Sequence, residues 1–339
     1  MSSEAPATHK MFFREAIAKA MREEMRREPR VLVLGQDVGA FGGSYREFDG
    51  LFAEFGAARV RDMPVAENAT IAIGAGAAAA GFRPLVSITY MDFLMLGFDP
   101  LINYAAKLRY KTGGRLCAPL VVKTTAGALG QGVAHSQCLE AWLISVPGLK
   151  VVAPSTPADA YGLLKTALRG DGPVVFIDHK RLFPIPGEVP VAETPVPFGE
   201  AIVRRAGRDV TIATHGFMTL VALDAAASLA ERGISCEVVD LRSLAPLDLD
   251  TVAASLRRTR RLVTLEEGQP TCGIGAELAF RLFQRLGAHP HARVGALPAP
   301  VSSNPVFERA CIPDAARVRD AVLGLLAAPS PAIPEQERP

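Results

Sequence analysis

The chain has 339 residues, of which 49% are hydrophobic and 21% charged; this is enough apolar material for two ordinary domains and too much for global disorder. The net charge is +2 with both signs interspersed, and no basic stripe with interleaved aromatics marks a nucleic-acid surface. The five cysteines (Cys117, Cys138, Cys236, Cys272, Cys311) are dispersed without a CxxC pair, which argues against a disulfide frame or a cysteine zinc site and for a reducing, cytoplasmic setting.

The opening MSSEAPATHKMFF lacks the apolar stretch of a signal peptide. Residues 11–27 read as a helix, with Phe12, Ile17, Met21 and Met25 near helical spacing. A short buried strand follows at 31–34. Residues 68–80 read as a helix ended by Gly81; the weakly polar run 69–82 is too short to span a bilayer, so no membrane role is expected. A strand at 84–90 precedes a helix with Leu101, Tyr104, Ala105 and Leu108 on one stripe, stopped at Gly113-Gly114. PLVV (119–122) and LKVVAP (149–154) are strands. Thr156 then caps a helix with Pro157 at its first position and Asp159 in its first turn, running to Gly170 before the strand PVVFID (173–178).

The stretch 183–200, FPIPGEVPVAETPVPFGE, carries five prolines and reads as a stiff connector between domains 1–182 and 201–328. The alternation then resumes: strands at 209–215, 236–240 and 261–267, helices at 217–232, 248–258 and 275–286. Nearly all-apolar strands alternating with helices predict α/β architecture, with two doubly wound domains built on parallel sheets. The Pro-rich tail, 329–339, is expected to be flexible.

Two glycine-rich strings fail as phosphate signatures. GAGAAAAG (74–81) lies inside a helix pattern and is not GxGxxG, so its glycines read as close-packing positions. GALGQG (127–132) lacks the Lys-Ser/Thr of a P-loop. GDG (170–172) has no asparagine some 30 residues on, as a metal-diphosphate motif of thiamine enzymes would need, and reads as a helix end and turn.

Four longer strings, in this order, carry a resemblance: MPVAENATIAIGAGAAAAGFRPLVSITYMDF, AAKLRYKTGG, HSQCLEAWLISVPGLKVVAPSTPADAYGLLKTALRGDGPVVFIDHK and LRSLAPLDLDTV. Together, over about residues 10–325, they resemble the beta subunit of the thiamine diphosphate-dependent first component of pyruvate, branched-chain 2-oxoacid and acetoin dehydrogenases. The resemblance implies a pyrimidine-binding domain followed by a transketolase C-terminal-like domain. It also implies an alpha2beta2 heterotetramer whose alpha subunit holds the diphosphate and Mg²⁺, and a lipoyl-bearing acyltransferase partner. Two rival readings are a transketolase-like carboligase half and a non-catalytic scaffold subunit.

The resemblance assigns roles to particular residues. Glu67 matches the glutamate that hydrogen-bonds the cofactor's pyrimidine ring nitrogen, which prepares the thiazolium carbon to lose its proton. It also sits at a predicted helix start, where the helix end favours the ionised form. Phe93 matches a ring that packs on the aminopyrimidine, with Met91 beside it. His135 matches a histidine near the thiazolium and substrate, suited to proton transfer and to passing the acyl group to a lipoyl arm. The loop before it is one residue shorter than the family pattern, and Ala134 stands where glutamine is common. The carbonyls of Leu120, Ala167, Leu168, Gly170 and Gly172 match a potassium site. His179 and His215, at strand ends, receive no role.

Overall fold

The structure, a computed structural model, describes residues 7–327; the predicted flexible tail lies outside them. The N-terminal half contributes β1 (Thr8–Phe12), β2 (Val31–Gly35), β3 (Val60–Asp62), β4 (Arg83–Ile88), β5 (Val121–Ala126), β6 (Lys150–Val152), β7 (Val174–His179) and β8 (Pro186–Pro190). The C-terminal half contributes β9 (Ile202–Arg205), β10 (Val210–Thr214), β11 (Cys236–Asp240), β12 (Ser243–Ala245), β13 (Leu262–Leu265) and β14 (His291–Val294). A seven-stranded sheet has the order β12-β6-β7-β5-β4-β2-β3, and a five-stranded sheet the order β14-β13-β10-β11-β9. Both are parallel except at one edge each, where β12 and β9 run antiparallel. Parallel central strands must be covered on both faces, and β5, β7, β10 and β11 are buried at every position.

The halves interlock. Strand β12 belongs by sequence to the second half but pairs with β6 of the first. One core cluster runs from Ile71, Val86 and Val122 through Leu244 to Val252, Leu256 and Ile274, so both domains share it. On the other face of the large sheet, helix Phe13–Arg27 packs Ile17, Met21 and Met25 against helix Pro157–Arg169. The second helix starts as its sequence demands: the Thr156 hydroxyl accepts the Asp159 N–H at 3.2 Å, with Pro157 at the first position. A helix at Ala315–Ala327 closes the second domain.

Several segments differ from the periodicity reading. Met11 and Phe12 leave the first helix and pair with the proline-rich stretch, as β1 on β8. The stripe 101–108 is not one α-helix: Asp99–Tyr104 is a π turn, followed by a 3₁₀ turn and a short α turn at Leu108–Lys111. The wide turn shifts the phase of the stripe, and Tyr104, predicted inside, is exposed. Strand β4 ends at Ile88, which frees Thr89 and Tyr90 to turn out of the sheet. The small-residue helix Glu67–Ala79 packs as expected: a Cβ at Gly74 would lie 2.4 Å from Val86 Cγ2.

Candidate active site

Helix Glu67–Ala79 begins on Glu67 itself. Among the described residues its half-buried carboxylate takes no hydrogen bond and remains free to accept one. The turn after β4, Met91–Leu94 and its continuation to Gly97, lies on the helix's first turn. Asn68 Nδ2 donates to Leu96 O at 3.1 Å, and a Cβ at Gly97 would meet Ile71 Cδ1 at 2.3 Å. Thus β4 and the helix before it bring Glu67 and Phe93 onto neighbouring turns.

His135 stands against that turn. Its ring centroid is 4.7 Å from Tyr90 and 5.3 Å from Phe93, nearly perpendicular to both. Edge-to-face contacts of this kind orient a ring by its quadrupole. Three further bonds set the register of the chain after His135: Asp92 Oδ1 accepts from Gln137 N (3.1 Å) and Nε2 (3.0 Å), and the Met91 sulfur accepts from Leu139 N at 3.3 Å. Met91 is buried, with its sulfur turned to the backbone of Leu139. Asp92 Oδ2 and Ser136 Oγ are buried without a hydrogen-bond partner among the described residues.

The loop 127–135 is held from below by three consecutive residues at the end of β7. His179 Nε2 lies 2.9 Å from Glu267 Oε2, and its Nδ1 accepts the Arg181 N–H at 3.1 Å. Lys180 Nζ donates to Gly127 O at 2.8 Å and to His135 O. Arg181 Nε donates to Ala128 O at 2.9 Å. The second domain adds Glu267, which accepts the Ala128 N–H at 2.8 Å, and Glu308, which accepts the Gly130 N–H at 2.5 Å. Burial alone would raise the Glu267 carboxyl; the His179 ring and the Ala128 N–H outweigh it and hold it below its ordinary value. Beside this clamp a small cavity of about 20 Å³ between the domains is lined by Cys138, Glu140, His215 and Glu267. Burial pushes Glu140 up to about 7 and, together with neighbouring His179, pushes His215 down to about 4.

Sequence reasoning missed Tyr90, Asp92, Lys180, Glu267 and Glu308. The one signal was DHKR, four charged or polar residues closing an otherwise apolar strand. The five carbonyls matched to a potassium site gather around the end of helix Pro157–Arg169 and the start of β5. Arg83 Nη1 donates to two of them, Leu168 O (3.0 Å) and Gly170 O (2.7 Å), and Leu120 O accepts the Val174 N–H at 2.9 Å. Each carbonyl keeps a second lone pair. No helix of the described residues is long and apolar enough to cross a membrane.

Residues 9–186 match the family model of the transketolase pyrimidine binding domain, and residues 199–318 that of the transketolase C-terminal domain. The chain is 42% identical over 319 residues to the pyruvate dehydrogenase E1 component subunit beta of Rhizobium meliloti, covering 92% of this chain and 69% of that one. It is 41% identical over 330 residues to the acetoin:2,6-dichlorophenolindophenol oxidoreductase subunit beta of Cupriavidus necator, covering 91% and 95%. A solved structure described as a split gene transketolase, inactive beta4 tetramer, superposes with a TM-score of 0.77 at 27% identity, covering 95% of this chain and 99% of that one. By these matches the chain belongs to the beta subunits of the E1 components of pyruvate and acetoin dehydrogenases, a family built of a transketolase pyrimidine-binding domain followed by a transketolase C-terminal domain.

Proposed function

We propose that this chain is the beta half of a thiamine diphosphate-dependent dehydrogenase acting on a 2-oxo acid or acetoin and passing the acyl group to a lipoyl carrier. The observation that carries the reading is the half-buried carboxylate of Glu67, without a hydrogen-bond partner among the described residues, at the start of the helix on which the Met91–Gly97 segment packs, while Phe93 of that segment meets His135 edge-on, in a domain of pyrimidine-binding type. These residues fit the cofactor: a carboxylate without a partner for the ring nitrogen, and an aromatic wall for the ring. When bound, thiamine diphosphate supplies the nucleophilic carbon that attacks the substrate carbonyl. Glu67 holds a proton at the ring nitrogen, and Phe93 excludes water and orients the ring. His135 moves a proton at the substrate oxygen, and the glycine-rich loop before it leaves room for the lipoyl arm.

An alpha chain completes the site in this reading. Large apolar side chains stay exposed around it: Val65 before Glu67, Leu96 after Phe93, and Leu129 and Val133 on the His135 loop. Such a rim marks a surface that another chain covers. The diphosphate and its Mg²⁺ are assigned to the alpha chain, because GDG at 170–172 closes a helix here and gives the Gly170 carbonyl to Arg83. Potassium at Leu120, Ala167, Leu168, Gly170 and Gly172 belongs to the same reading and must share two carbonyls with Arg83. The beta4 tetramer described as inactive favours one corollary: this chain purified alone self-associates and binds thiamine diphosphate poorly.

The test is co-expression with an alpha-type chain, followed by a panel of pyruvate, branched-chain 2-oxo acids and acetoin with a lipoyl acceptor or a dye. Turnover of one of these supports the reading. Carbon–carbon ligation without use of either acceptor supports the transketolase-like alternative. Tight stoichiometric cofactor binding by the isolated chain removes the alpha-chain assignment.

A further inference from the structure

We infer that Lys180 is the positioning residue of His135: its ammonium group ties the two ends of the 127–135 loop together and so aims the imidazole at the Tyr90–Phe93 turn. The loop has two halves with different anchors. Its first residues are fixed by the second domain and by Arg181, through Ala128 and Gly130. Beyond Gly130 those anchors stop. Gln131 Nε2 reaches the Tyr90 hydroxyl at 3.3 Å, and His135 N–H turns back to Gly132 O at 3.2 Å, within the loop. Among the described residues, the carbonyl of His135 takes one hydrogen bond, and it comes from Lys180.

The same Nζ lies 2.8 Å from Gly127 O, at the loop's other end, and 4.9 Å from the centroid of the Tyr90 ring that His135 meets edge-on. Lys180 is 1% exposed. Burying an ammonium is costly unless its donors are used, and here two are used on one loop while the ring of Tyr90 takes the cation's remaining face. Asp92, Glu267 and Glu308 supply the nearby negative charge. A lysine held so deeply between the carbonyls of Gly127 and of His135 itself fixes that histidine's place along with its own. Sequence reasoning left no role for this residue, and the proton and acyl chemistry above does not require it to touch substrate.

The inference rests on His135 acting as proposed, so the test has one arm that needs no turnover. Lys180→Met and Lys180→Arg are made in the assembled alpha–beta enzyme, alone and with His135→Ala, and cofactor-free samples are treated with diethyl pyrocarbonate. Lys180→Met should make His135 react several-fold faster, read by peptide mass spectrometry, with His9 and His289 unchanged as internal references. In the lipoyl assay it should cost roughly ten- to a hundredfold, the scale of about 1 Å of misplacement. In the His135→Ala background it should cost less than about twofold, because residues acting through one another are not additive. Lys180→Arg, which keeps the charge and the donors, should recover part of both. Unchanged His135 reactivity in a folded variant overturns the inference, as does full additivity in the cycle. If Lys180→Met does not assemble, Lys180→Arg with wild-type reactivity and less than half of wild-type turnover is the overturning result, and restored turnover with wild-type reactivity supports the inference. If the wild type turns over nothing, the proposed function fails while the reactivity arm still decides on Lys180.

Discussion

His179 of the first domain and Glu267 of the second meet at 2.9 Å, and the backbone N–H of Ala128 joins them on the other carboxylate oxygen at 2.8 Å. Because Nδ1 of His179 accepts the Arg181 N–H, the ring proton is placed on Nε2 and donated to Glu267. The imidazole also stacks on Phe217 at 5.0 Å. A buried contact between domains thus ends directly beneath the loop that carries His135.

Replacing Glu267 by alanine strands a buried ring N–H and a backbone N–H. The expected loss of stability is about 1–3 kcal/mol, with a drop in turnover of tenfold or more because the loop loses its floor. Glu266→Ala is the control. Glu266 caps the helix Ile274–Leu286 through two backbone N–H groups at 3.0 Å, so its loss should lower the melting temperature and leave turnover of the folded enzyme near wild type. Equal turnover for both variants at matched folded fraction would show that the domain contact does not support the loop.

Gly127 gives a sharper steric test. Its φ is +91°, and a Cβ there would lie 1.8 Å from His179 Nε2. Gly127→Ala should cost about 2–4 kcal/mol from strain and displacement of the ring. Gly130 has φ +74° but nothing within 4 Å of a Cβ, so Gly130→Ala should cost only about 1 kcal/mol. Chemical denaturation of the two variants measures the difference.

What the sequence makes legible follows from how local each signal is. Thr156, Pro157 and Asp159 specify a helix start within four residues, and the observed helix begins there. The apolar run after Pro173 is a strand by composition alone. Strand β12 is only Ser243–Ala245, and its partner β6 lies some 90 residues earlier, so only tertiary pairing creates it. The π turn at 99–104 hides in a sequence that still has helical spacing. Helix Ala315–Ala327 lies past the last element predicted from periodicity, although Val318, Val322 and Leu325 recur at that spacing. Glu67 and His135 came forward through family resemblance, since neither spacing nor composition distinguishes them. Apart from the run DHKR, nothing local marks Lys180, Glu267 and Glu308 as site residues, because burial of a charge depends on carboxylates and carbonyls far along the chain.

Glu67→Gln tests the proton role with little change of shape. Folding and assembly should be near normal, and turnover should fall by about a hundredfold or more. Near-normal turnover in the assembled enzyme would leave Glu67 as a helix-start residue only.

Two groups in the interdomain cavity give opposite pH dependences. His215 has a folded value of about 4 against 6.5 ordinarily. Below pH 6.5 the unfolded chain binds a proton that folded His215 refuses, so its contribution is full above 6.5 and is lost as pH falls toward 4, by up to about 3 kcal/mol. Glu140 has a folded value of about 7 against 4.5. Its contribution is full below 4.5 and is lost as pH rises through 7, on the same scale. Between those limits the two oppose each other. Unfolding free energies across this range should tilt downward with rising pH in His215→Gln and downward with falling pH in Glu140→Gln. Wild-type slopes in both variants would contradict the assignment.

His135→Ala separates two jobs for the imidazole. If it acts mainly in acyl transfer, the lipoyl-dependent reaction should fall by more than the first attack on substrate, and an artificial electron acceptor that bypasses the lipoyl arm should recover part of the activity. If it mainly orients substrate, both assays should fall together. The geometry favours transfer. The ring is held edge-on to Tyr90 and Phe93 at the base of a loop whose outer residues, Leu129, Gly130, Gln131 and Val133, are exposed, which leaves a path from outside to the imidazole. The one-residue shortening expected from the family resemblance works against this, since a shift of about 1 Å in a positioned group costs about a hundredfold; the Lys180 anchor at His135's own carbonyl is what limits such a shift. Equal loss in both assays would end the transfer-specific role, and unchanged activity in both would make His135 a packing residue of the Tyr90–Phe93 turn.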